Sequence, residues 1–102
     1  MFQEPEPMSD TELAALMRLL AIAKSDTGQA RRAADFLLAW WNASSCGKFD
    51  LTDLWTVDTA IAADMVIVFG FVARVHCYPD KLGFEDDFKT VVGAWRPEFL
   101  TT

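Results

Sequence analysis

The chain has little of what catalysis or metal binding usually needs. Its 102 residues hold one histidine, His76, and two cysteines, Cys46 and Cys77, 31 positions apart. A zinc site normally takes four ligands, and neighbours such as His76 and Cys77 point about 100° apart on a helix. They do not converge on one ion. A nucleophilic triad needs a serine or cysteine, a histidine and an orienting carboxylate, and one histidine at an expected helix end positions no such set. The five glycines are scattered, which excludes a phosphate-cradling glycine loop. No metal, cofactor or catalytic residue is therefore expected, and a hydrolase or transferase would have to be built on His76 beside a cleft.

Basic excess and a long apolar run are missing as well. Nine basic residues against fifteen acidic ones give a formal charge of −6, which repels nucleic acid and anionic lipid and attracts basic protein surfaces. Direct nucleic-acid binding is not expected. The most apolar stretch, AIAADMVIVFGFVA from Ala60 to Ala73, is shorter than the about 20 residues of a membrane helix. Asp64 lies inside it, and a carboxylate at mid-membrane costs on the order of 3 kcal/mol. The N-terminal MFQEPEPMSD is acidic and bears proline, unlike a secretory leader. A cytoplasmic protein with both thiols reduced and no membrane association is expected.

What is present points to a helical domain. Hydrophobic residues make up 52% and charged residues 24%, a globular balance for one core at this length. Residues 1–8 read as a flexible N-terminal arm, and 9–102 as a single helical domain. Ser9 and Glu12 form a capping box, and Leu13, Leu16, Met17 and Leu20 recur at helical spacing behind it. A first helix follows from about Asp10 to Lys24. A second begins near Thr27 or Gly28, buries Ala30, Ala33, Ala34, Leu37, Leu38 and Trp41 along one stripe, and stops in the run Asn42 to Gly47. KFDLTDLWTVD reads as a linker holding one short helical turn, capped by Asp50 or Thr52.

The third helix runs from Asp58 towards His76 and contains the apolar stretch. Val66-Ile-Val-Phe is β-prone, but length and the helical taste of DTAIAADM decide for helix. A helix apolar nearly all round suits a central element shielded by three others. Gly70 costs about 1 kcal/mol against alanine there, which marks a close helix–helix crossing. Asp64 must sit at a solvent margin or pair with a base such as Arg18 or Arg31, because an unpaired buried carboxylate costs too much. A fourth helix spans about Phe84 to Trp95, with Glu85, Asp86 and Asp87 complementing the macrodipole in its first turn. The expected fold is all-α, a compact bundle of four main helices around a central hydrophobic third, plus a short helical turn.

The candidate binding residues are aromatic and charged. Trp40 and Trp41 are neighbours on a helix and cannot face the same core centre, so one lies at a margin, and Trp40 and Trp55 become candidate partner anchors. Core packing of both, or Trp40 lying beneath the Phe49 to Trp55 linker, is the plainer alternative. Arg31 and Arg32 are either a solvated face served by Asp35 or a recognition pair. Asp50, Asp53 and Asp58, with Glu85, Asp86 and Asp87, are caps and solvated acids. If they converge, they imitate a phosphate backbone and fit a basic groove.

The blocks IAKSDTGQARRAADFLLAWWNA, FDLTDLWTVDTAIAADM and YPDKLGFEDDFKTVVGAWRPE resemble an uncharacterised family of small proteins. Its members are carried on integrative and conjugative elements and plasmids of Gram-negative bacteria. The likeness covers about Leu16 to Glu98 and brings no catalytic residues. It implies a mobile-element accessory protein, a setting in which small acidic proteins sometimes inhibit host defence, CRISPR machinery included. Two functions are then expected to compete. One is a non-enzymatic acidic module that binds a protein partner, such as a basic nucleic-acid-binding protein or CRISPR effector, and blocks its groove. The other is a structural or regulatory homodimer with an aromatic self-association surface.

Overall fold

Ser9 opens the first helix, α1 (Asp10–Ala23), through the predicted capping box. Its Oγ accepts from the Glu12 amide at 3.1 Å, and Glu12 Oε1 accepts from the Ser9 amide at 3.0 Å, so two otherwise unpaired helix-end donors are satisfied reciprocally. This computed structural model describes residues 8–99. The expected arm lies outside the described residues except for Met8, which packs on the core.

The second helix, α2 (Gly28–Cys46), is capped by Thr27, whose Oγ1 accepts from the Ala30 amide. It stops within the expected run, at Cys46. Asn42 leaves helical geometry, and its Oδ1 accepts from the Ser45 amide, so the chain kinks and makes one more turn before Gly47. Gly47 has a φ of 103°, a region that favours glycine. A short 3₁₀ turn at Leu51–Trp55 follows, with Asp50 accepting from the Thr52 amide and hydroxyl. The third helix, α3, is Thr59–Arg74, and the fourth, α4, is Glu85–Trp95. Two further 3₁₀ turns lie at Pro79–Leu82 and Pro97–Phe99.

All four helices contribute to one buried cluster. Leu16, Leu19 and Leu20 of α1, Leu37 and Leu38 of α2, Met65 and Val68 of α3, and Phe88 and Val91 of α4 are essentially inaccessible. The all-α bundle is as expected, and the described residues contain no strand.

The centre of that bundle requires a correction. Both α1 and α2 pack against all three other helices, whereas α3 lies chiefly against α1. Only one face of α3 is covered. Ile61, Asp64, Met65, Val68 and Phe71 are buried, while Val66 and Phe69 are 61% and 59% exposed. The shortest dimension of the molecule is 21 Å, about two helix diameters, so a flat slab offers no third layer to cover α3. Gly70 is likewise not at a crossing within the chain, since a Cβ placed there would meet nothing within 4 Å.

Two ion pairs fasten α3 to α1. Arg18 donates from Nε and Nη2 to both oxygens of Asp64, at 2.9 and 2.8 Å. Arg74 Nη2 reaches both oxygens of Glu12, at 3.0 and 2.9 Å. The pairings 18–64 and 12–74 fix the two helices as antiparallel. Asp64 has the arginine partner that its place in an apolar helix demanded.

Candidate interaction surface

The Leu51–Trp55 turn and α3 build an apolar surface together. Phe36 of α2 meets Phe49 edge-on, with centroids 5.2 Å apart, and this pair supports the turn from below. Two adjoining hollows of about 230 and 320 Å³ share Phe36, Phe49, Leu51 and Phe69 in their walls. Leu51 is 66% exposed and Trp55 83%. With Val66 and Phe69 they place four large apolar side chains in water. Single exposed apolar residues are ordinary, but a contiguous group of them marks an interaction site.

The sequence-derived candidates separate by location. Trp55 ends the turn that borders this surface and is exposed, without lining either hollow. Trp40 does not lie out in solvent. It is half-buried, donates from Nε1 to the Cys77 carbonyl at 3.1 Å, and packs edge-on against Phe71 and Phe88. Trp41 stacks on the same Phe88 with centroids 5.6 Å apart. One phenylalanine inserted against two adjacent tryptophans lets the core take both, which the 100° offset alone argued against. Their long-range partner on α4 carried no local signal.

Most of the charged candidates are engaged within the chain. Arg31 faces Asp35 at 3.6 Å and Arg32 faces Asp53 at 3.7 Å. Asp58 Oδ2 accepts from Gln29 Nε2 while its amide donates to Gln29 Oε1. Glu85 pairs with Lys89 one turn on, and Asp87 with Lys24 at 2.8 Å. Asp86 is exposed, and its carbonyl accepts from the Thr90 hydroxyl. The Thr52 hydroxyl and amide hold the Asp50 carboxyl below its usual range. Asp53, Asp58 and Asp87 each reach a residue in the 24–32 stretch, namely Arg32, Gln29 and Lys24.

The sequence reading missed Arg96, which donates to the Cys46 carbonyl at 2.9 Å and to Asp35 at 2.8 Å, tying the end of α4 to both sides of the α2 kink. His76 stands exposed just beyond α3, beside an open hollow it shares with Trp40, Cys77 and Tyr78. Burial raises the Cys46 thiol above its ordinary value, which makes it a poor nucleophile. Among the described residues no group of three or more His, Cys, Asp or Glu could hold a metal ion, and no helix is long and apolar enough to cross a membrane.

Comparison with curated proteins and with solved structures finds no match to either. One family model does match, over residues 13–96. That span runs from the first turn of α1 to the residue that closes α4, and so takes in the whole bundle and the Leu51–Trp55 turn. The chain belongs to DUF7673, a family of unknown function.

Proposed function

We propose that this chain is a non-enzymatic protein-interaction module that docks through the apolar surface formed by the Leu51–Trp55 turn and the outer side of α3. The observation that carries the reading is the exposure of Leu51, Val66 and Phe69 about the hollows that Phe36 and Phe49 also line, with Trp55 exposed at the end of the same turn. Burying such groups is favourable by about 25 cal/mol per Å² of apolar area. Exposed tryptophan at the edge of an apolar patch is a frequent energetic anchor of interfaces. The test is capture of purified candidate partners by immobilised wild-type chain and by a Leu51→Ser, Trp55→Ser variant. A partner retained by the first and lost by the second supports the module. Equal retention of every partner tested contradicts it.

A second reading has its own observation. The approach of Asp53, Asp58 and Asp87 to residues 24–32 supports an acidic end that enters a basic groove, as the mobile-element resemblance implies for an inhibitor of a CRISPR effector. The intramolecular partners of those acids reduce the charge they offer, so this reading ranks second. A size-exclusion shift with purified effector complexes over a salt series tests it, and absence of a complex at low ionic strength removes it.

A further inference from the structure

We infer that the hollow beside the α2 kink is a binding site for a quaternary ammonium group, held by the rings of Trp40, Trp41 and Tyr78 and by the carboxylate of Asp80. The hollow measures about 530 Å³, and Asn42 and Ser44 complete its polar lining. Small-molecule sites span roughly 300–1,000 Å³. The site is separate from the proposed docking surface, since Trp41, Tyr78 and Asp80 line neither of the hollows beside the Leu51–Trp55 turn.

Two breaks in the chain assemble it. Asn42 departs from helical geometry, with φ −167° and ψ 85°, so the regular segment before it ends at Trp41, against the hollow. The carbonyl end of a helix carries partial negative charge and favours a cation. The facing wall is the start of the Pro79–Leu82 turn. Pro79 is fully buried, the Cys77 carbonyl accepts from Trp40 Nε1 at 3.1 Å, and the Tyr78 carbonyl accepts from the Lys81 amide. The backbone on both sides of Tyr78 is thereby fixed, while the residue itself is 64% exposed.

Three rings and one free acid around a single hollow select a cation. The face of an aromatic ring is electron-rich and attracts positive charge, tryptophan most strongly. Phe88 stacks on one face of the half-buried Trp41 indole, which leaves the opposite face for a ligand. Asp35, Asp53, Asp64 and Asp87 each face a base. The Asp80 carboxylate is exposed and has no hydrogen bond or ion pair with any described residue. A quaternary ammonium has no N–H to satisfy, so ring faces and one carboxylate suffice for it. A metal ion would need several oxygen ligands, and a primary ammonium is strongly hydrated and presents three donors. The Ser44 hydroxyl, without a partner among the described residues, is available to the polar end of the ligand. The charge of −6 on the chain raises the local concentration of cations.

The experiment is an NMR titration of the full chain, following the tryptophan indole N–H signals, with sodium chloride as the control for ionic strength. Choline chloride probes a free small molecule, and an acetylated, amidated trimethyllysine probes the same group on a protein side chain. Saturation by either, with a dissociation constant on the order of 1 mM or below, supports the site, and the tighter of the two names the source. The Trp40 and Trp41 signals are expected to move while Trp55 stays. The neutral isostere of choline, with tert-butyl in place of trimethylammonium, is expected to bind at least about tenfold more weakly. Asp80→Asn and Tyr78→Leu alter exposed residues and are each expected to weaken choline binding about tenfold. The Leu51→Ser, Trp55→Ser variant is expected to bind choline as the wild type does, so failure of this site and failure of the docking surface are read separately. No saturable binding by about 10 mM, equal binding of the neutral isostere, or undiminished binding by both Asp80→Asn and Tyr78→Leu overturns the inference.

Discussion

The two faces of α3 are both apolar and have opposite fates. The inner face carries Ile61, Met65, Val68 and Phe71 against α1 and its neighbours, with Asp64 neutralised by Arg18. The outer face carries Ala63, Val66, Phe69 and Gly70, all of them exposed. The covered side thus holds the larger set, while the open side mixes two large groups with alanine and glycine. Two arginines fix the orientation as well, since Arg18 of α1 reaches Asp64 of α3 and Arg74 of α3 reaches Glu12 of α1. The lesson is that apolar character alone does not bury a helix: side-chain size and the placement of charged partners decide which side is covered.

The largest expected effect separates the faces by core packing. Phe71→Ala, at a position with no exposure, is expected to cost about 3–5 kcal/mol by the usual cavity penalty, measured by urea unfolding. Next comes acid. The Ser9 amide, and after it Arg74, lower the pKa of Glu12. Its contribution is complete above the unfolded value of about 4.3 and is lost as pH falls through the depressed folded value. The stability difference between wild type and Glu12→Gln is thus expected to be full at pH 7 and to shrink below about pH 4, followed by thermal melts. The cap that begins α1 is smaller: Ser9→Ala is expected to cost about 1 kcal/mol. Smallest is the outer face itself. Phe69→Ser, at a position 59% exposed, is expected to change stability by no more than about 0.5 kcal/mol. A loss as large as that of Phe71→Ala would mean the two faces are not different.

Much of the fold was legible because it is locally written. The Ser9 capping box, the Thr27 cap and the Asp50 turn each sit where residue chemistry puts them, and helical spacing located all four helices within two or three residues. Asp64 was legible as a demand, because a carboxylate in an apolar helix needs a base, and Arg18 was among the bases available. The placement of α3 was not legible. A helix with apolar residues on every side has no preferred face, so its sequence cannot say which neighbour arrives. The pairing of Arg74 with Glu12 and of Arg96 with Asp35 joins residues 62 and 61 positions apart and leaves no local pattern. The same holds for the two tryptophans, which share Phe88 only after α4 docks.

Of the candidate surface, Trp55 was legible as a large apolar residue in a short turn with no helical stripe to bury it. Val66 and Phe69 were read as core because their neighbours in sequence are core. Gly70 was read as a close helix crossing, and the structure places no neighbour within 4 Å of where its Cβ would stand.

Thiol labelling on the two faces of α3 examines the central claim most directly. In a Cys77→Ser background, Val66→Cys and Val68→Cys place one thiol on the exposed face and one on the buried face of the same helix. With a polar maleimide the account predicts rapid modification of Val66→Cys and slow modification of Val68→Cys. Equal rates at the two positions would contradict it.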